Sequence, residues 1–310
     1  MLRPFRLHEP TTAKEAVSLL GQYGDQAKAY AGGTELLLAM KEGLLNYDHL
    51  VNVKSIPGMD DIFYDVTAGF LHIGPTTTHR DLELSPIVKQ EYPLLSEVER
   101  SIANIRVRNV GTIGGNLCFS EPHSDPGVFL SLFDATVEVL GSGGQRSFSV
   151  EEMLLGPYET CLEQEELLTQ ILVPSLPQGM KGAYFKFGYH ERPTLSLGVA
   201  VKLTYSAGQG RQGDESIEEV RIALGSISPK PVRVREAEDL LRNRSIEEVL
   251  RNGTGSEPSV LEAATQLAIQ VASPVSDIHG STQYKEHLTK VYLRKAFTTA
   301  VDSITEQSSQ

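Results

Sequence analysis

Apolar and polar positions along this chain follow two periods, near 3.6 and near 2, and the points where one gives way to the other set out its elements. Thr12-Ala13-Lys14-Glu15 forms a capping box, and apolar Ala16, Val17, Leu19 and Leu20 follow at helical spacing, so a short helix is expected that stops near Gly21 and Gly24. Residues 28–31 read as a short strand and 35–42 as a helix. Strand-like runs follow at 49–53 and 70–74, a helical stretch begins at Thr78, and another helix is expected over 94–105. Residues 128–132 read as helix. Residues 135–140 alternate as a strand, turn at Gly141-Ser142-Gly143-Gly144 into a second strand, and Ser149-Val150-Glu151-Glu152 caps a short helix.

A strand over 167–173 ends at Pro174-Ser175-Leu176-Pro177-Gln178-Gly179, the strongest linker in the chain. Beyond it the order changes. Strands come first, at 182–188, 196–204 and 218–224, with turns such as Gly208-Gln209-Gly210. Helices follow at 235–243, 260–272 and 284–302, with capping patterns at Ser245-Ile246-Glu247-Glu248 and Ser259-Val260-Leu261-Glu262. Strands then helices describe an α+β domain with helices on one sheet face. No internal repeat is evident, and the tail 306–310 is expected to be disordered.

Composition sharpens this outline. At 310 residues the chain exceeds the usual single domain. Domains are therefore expected at 1–176, in two subdomains of about 1–55 and 56–176, and at 177–310. A net charge of −12 without a long basic run argues against nucleic acid as a partner. No run of about 18 apolar residues predicts a membrane span, and Met1-Leu2-Arg3-Pro4-Phe5-Arg6 lacks a signal-peptide core, so a cytoplasmic location is expected. Two cysteines, Cys118 and Cys161, cannot ligate an iron–sulfur cluster alone. The histidines lack zinc-site spacing, so no metal site is expected. His123-Ser124-Asp125 has the letters of a hydrolase triad, but adjacent side chains diverge.

The candidate chemistry lies in two glycine-paired turns, Ala31-Gly32-Gly33-Thr34-Glu35 and Thr112-Ile113-Gly114-Gly115-Asn116. Glycine lets a ligand approach the backbone, and successive N–H groups in a turn make an anion-binding concavity. The first pair sits between an expected strand and an expected helix, where the helix N-terminus attracts anions. Neither G-x-G-x-x-G after the first strand nor G-x-x-x-x-G-K-[ST] is present, which argues against Rossmann and P-loop sites.

The runs AGGTELLLAMK (31–41) and RNVGTIGGNLCFSEPHSDP (108–126), with their spacing, resemble the FAD-binding, or medium, subunit of the molybdenum hydroxylases, a family that includes xanthine dehydrogenase and carbon monoxide dehydrogenase. Matches at Glu166-Leu167-Leu168-Thr169, Ala183-Tyr184-Phe185-Lys186 and Ser273-Pro274-Val275-Ser276-Asp277 extend the resemblance over nearly the whole chain. It implies a two-part FAD-binding domain of the PCMH type, then a smaller α+β domain that helps cover the flavin. By the same resemblance, Ala31, Gly32, Gly33, Thr34 and Glu35 form one pyrophosphate loop, and Thr112, Ile113, Gly114, Gly115 and Asn116 the other. Ser124 and Asp125 match a pair whose aspartate accepts a ribose hydrogen bond, Leu168 a residue packed on the isoalloxazine, and Lys186 a lysine near the ring. Arg192-Pro193-Thr194 departs from the family at the ring edge.

The resemblance implies an electron-transfer subunit of an oxidoreductase, with FAD here and no catalytic acid or base of its own. A small iron–sulfur subunit with [2Fe-2S] clusters and a large molybdenum-cofactor subunit are the implied partners, in a dimer of heterotrimers. NAD, a quinone or oxygen is the acceptor. The alternatives are a free-standing FAD oxidase or reductase, and a non-catalytic nucleotide-binding scaffold.

Overall fold

The computed structural model describes residues 2–188, 192–205, 215–251, 253 and 258–308. They form two compact units, 1–121 with 134–175, and 122–133 with 176–310. The turn expected at 208–210 lies outside the described residues.

The first unit holds two main sheets. Three short parallel strands, β1 (Arg6–His8), β2 (Ala27–Tyr30) and β3 (His49–Asn52), lie in the order β1-β3-β2. The helix Ala13–Tyr23 connects β1 to β2, which flank β3 on its two sides. The Thr12 hydroxyl caps it by accepting from the Glu15 N–H, while the Glu15 carboxylate accepts from the Thr11 N–H, so the expected capping box is half formed; the helix buries Ala16, Val17 and Leu20. Those side chains meet Val51, Val53, Met59 and Leu167 in one apolar cluster.

The second sheet is antiparallel, made by β4 (Ile62–Asp65), β5 (Phe70–Ile73), β6 (Thr136–Gly141) and β7 (Gly144–Ser149) with a long strand from the end of the unit. After the small pair β8 (Leu154–Gly156) and β9 (Glu159–Thr160), that strand, β10 (Leu167–Pro174), runs between β5 and β6. The buried Tyr92 hydroxyl donates to the Val173 and Pro174 carbonyls, tying the helical segment to the end of β10.

One helix expected over 94–105 is in fact two, Pro93–Ser101 and Ile105–Arg108. Ala103 takes φ +39° and the Asn104 side chain accepts from the Arg106 and Val107 N–H groups, so the chain restarts with a new cap.

The second unit is built on the antiparallel order β11 (Lys181–Phe187), β12 (Leu195–Tyr205), β13 (Glu215–Gly225) and β14 (Val232–Arg233). Leu195, Leu197, Val199 and Val201 alternate onto one face and pack with Leu241, Ala264 and Phe297 of the later helices. Between those positions, Gly198 sits against Leu132, and Gly225 against Val128, of the helix Asp125–Leu132, so this helix covers the other face. Every residue of that helix is buried. The final helix runs Thr282–Ser308, past the point where the sequence expects disorder to begin.

Candidate functional site

The first glycine turn leaves β2 and enters the helix Leu36–Lys41. Gly33 takes φ +72°, a left-handed conformation that costs an L side chain about 1–2 kcal/mol. The carbonyl of Gly33 accepts from the Leu37 N–H, which starts the helix. The N–H groups of Gly32, Gly33 and Thr34 find no acceptor among the described residues. Three successive donors left open in a turn are what an anion-binding concavity requires.

The second glycine pair is built differently. The sequence reads it as a bare turn, whereas the structure places it in the first turn of the helix Ile113–Phe119, capped by the Thr112 hydroxyl. Its donors are spent inside the protein: Ile113 N–H donates to the Thr77 carbonyl, Gly114 to Pro75, Gly115 to the Thr112 hydroxyl and Asn116 to the Thr112 carbonyl. A Cβ on Gly114 would stand 2.4 Å from Pro75 Cβ, so this glycine serves close packing. The backbone N–H groups of 113–116 thus have acceptors within the protein, as the start of a capped helix, while Thr112, Gly114, Gly115 and Asn116 line the cavity.

The two segments nevertheless meet. A Cβ on Gly32 would lie 2.2 Å from the Val110 carbonyl oxygen and 2.8 Å from Gly111 Cα, so only glycine permits this backbone contact. Together they wall a cavity of about 280 Å³ in the first unit. Ala31, Gly32, Gly33, Thr34 and Glu35 line it, as do Thr112, Gly114, Gly115, Asn116 and Leu168. Ile113 is fully buried and outside the lining.

The wall also carries residues with no role assigned from sequence. Cys118 lines it, and burial pushes its thiol up to about 12, against a smaller opposing pull from Lys28. Glu166 does too: burial raises its carboxyl, but hydrogen bonds from Arg146 and the Glu163 N–H outweigh that and hold it below its ordinary value. His79 is the third, and its only signal in the sequence is that it follows the Thr78 cap of a helix.

Ser124, Asp125 and Lys186 belong to the second unit. Ser124 precedes the helix Asp125–Leu132 without a side-chain capping bond. The Asp125 carboxylate, 3% exposed, accepts from Lys186 Nζ at 2.6 Å, Tyr184 hydroxyl at 3.0 Å and Ser196 hydroxyl at 2.7 Å. Three of its roughly four acceptor sites are thus filled by its own unit. Tyr184 and Ser196 were not legible as partners, since their meeting depends on strand register between β11 and β12.

Among the described residues no group of three or more His, Cys, Asp or Glu side chains is placed to hold a metal ion. No helix among them is long and apolar enough to cross a membrane.

Comparison with known proteins identifies the family. Residues 3–176 match the family described as the FAD binding domain in molybdopterin dehydrogenase, and residues 192–300 match the CO dehydrogenase flavoprotein C-terminal domain. The chain is 32% identical to the carbon monoxide dehydrogenase medium chain of Hydrogenophaga pseudoflava over 296 residues, 96% of each protein. It is 30% identical to the nicotine 6-hydroxylase medium subunit of Paenarthrobacter nicotinovorans, over 96% of this chain and 98% of the relative. A solved structure of carbon monoxide dehydrogenase from Hydrogenophaga pseudoflava superposes with a TM-score of 0.86 at 30% identity, covering 97% of this chain and 99% of that one.

Proposed function

The chain belongs to the FAD-binding medium subunits of the molybdenum hydroxylases, and from that premise we propose that its first unit holds FAD with the diphosphate over Gly32, Gly33 and Thr34. The observation that carries this reading is the row of three open N–H groups in a turn that borders a cavity. Thr34 adds a hydroxyl donor, and Gly32 keeps the turn pressed on Val110 so that the donors stay aligned. The second glycine segment contributes a rigid wall, and Leu168 an apolar surface for the ring system. In the second unit, Asp125 fixes Lys186 and Tyr184.

Bound flavin would supply the chemistry, accepting electrons singly and releasing them in pairs. The protein's part is to place and tune the cofactor. A small iron–sulfur subunit is the electron donor in this reading, and a large molybdenum-cofactor subunit the site of substrate oxidation. Two such trimers would pair in the cytoplasm, with NAD, a quinone or oxygen as acceptor.

The test is to purify the full chain, incubate it with FAD, remove free flavin and record the absorbance spectrum. A stoichiometric flavin band supports the reading, and a colourless protein overturns it. Co-purification from the native source with an iron–sulfur chain and a molybdenum chain distinguishes the complex from a free-standing flavoenzyme.

A further inference from the structure

His79 is 3% exposed, and its backbone N–H donates to the Gly111 carbonyl at 3.0 Å. Its Nδ1 lies 2.7 Å from Glu99 Oε2. Glu99, on the helix Pro93–Ser101, has no exposed surface, and its Oε1 has no hydrogen-bond partner among the described residues. With Nδ1 engaged by Glu99, Nε2 is the ring nitrogen left for a second partner.

Because Nδ1 is turned to Glu99, Nε2 occupies the opposite edge of the ring, next to Cδ2. That edge lies beside the first glycine turn. The point where a Cβ on Gly111 would sit is 3.2 Å from His79 Cδ2 and 3.5 Å from Thr34 Oγ1. His79 and Thr34 thus flank one spot on the wall of the cavity that both line.

We propose that His79 is an anion-contact residue of this cavity: Glu99 fixes the ring, and Nε2–H donates to a phosphate oxygen held by the open N–H groups of Gly32, Gly33 and Thr34. The assignment rests on the reading of the cavity as a nucleotide site and adds a side-chain ring donor to a loop that otherwise offers backbone N–H groups and one hydroxyl. Glu99 is a positioning residue, acting through His79.

The test uses the full chain, freed of flavin, as wild type, H79Q and H79L, titrated with FAD and with ADP and adenosine as competitors. A charge-assisted hydrogen bond to phosphate makes H79L bind FAD and ADP roughly tenfold to a hundredfold more weakly, with adenosine unchanged. H79Q, which keeps an N–H donor, recovers part of the loss. Wild-type FAD affinity in H79L overturns the inference alone, as does an equal loss for ADP and adenosine, the mark of a merely structural role. If H79L does not fold, the double variant H79L/E99L, which strands no buried charge, carries the same expectation. Failure of the wild-type chain to bind FAD overturns both this inference and the reading beneath it.

Discussion

Gly32 rests directly on the backbone of Val110: a Cβ built on Gly32 would stand 2.2 Å from the Val110 carbonyl oxygen, closer than any real contact allows. This junction aligns the open turn against the wall formed by the second glycine segment. The obstacle is backbone, which cannot rotate aside as a side chain would.

Gly32→Ala is therefore expected to force the turn away from Val110, costing about 1–3 kcal/mol of overpacking and displacing the N–H donors. Flavin content and thermal midpoint measured on the same sample check it, and a variant that keeps both at wild-type values contradicts the junction's role.

Thr112→Ala tests the second segment by a different route. It removes the hydroxyl that accepts from the Gly115 N–H at 3.1 Å, a helix cap worth about 1 kcal/mol. The thermal midpoint should fall by a few degrees, while FAD affinity changes less than in Gly32→Ala because the N–H groups of this segment already bond within the protein.

The Asp125–Lys186 pair is asymmetric, with side chains 3% and 25% exposed. Lys186→Met strands a buried carboxylate with two hydroxyl donors and is expected to cost about 3 kcal/mol. Asp125→Asn combined with Lys186→Met removes both charges and should recover most of that loss. Urea unfolding of the single and double variants reads the coupling, and simple additivity would contradict it.

His8 donates or accepts at 2.9 Å with His49, which stacks on Tyr23. Burial first, then the charges of His49 and Arg6, hold the His8 imidazole below its ordinary value. The unfolded chain then binds the proton more readily than the folded one, so the contribution to stability is complete above about pH 6.5 and is lost as pH falls toward the folded-state value. His8→Gln should flatten the urea midpoint between pH 7 and pH 5, and an unchanged slope would count against this linkage.

Cys118, pushed up to about 12 chiefly by burial, stays protonated at neutral pH and should resist alkylation in the folded chain. Mass spectrometry after brief iodoacetamide treatment at pH 8 should find it unmodified, then labelled once urea is added. Rapid labelling of the native protein would show that the wall at this position is open.

The sequence by itself determined the family and the local elements whose cause is local. Capping boxes at Ser149 and Ser259 appear as read, because a cap is a contact between residues three apart; at Thr12 only the hydroxyl half forms, since the Glu15 carboxylate accepts from the Thr11 N–H instead. The strand-to-helix turn at 31–35 was legible for a similar reason: strand, glycine pair and helix follow directly in sequence.

Tertiary structure alone decided the rest. It set the second glycine pair at the start of a capped helix, where the distant Thr77 and Pro75 carbonyls accept from the Ile113 and Gly114 N–H groups. It placed the helix Asp125–Leu132 in the second unit, where Gly198 and Gly225 leave room for Leu132 and Val128. It also paired His79 with Glu99 across 20 residues. Periodicity records which face of an element is buried. Which partner buries it, and which donors remain open afterwards, depends on contacts whose sequence separation no local pattern encodes.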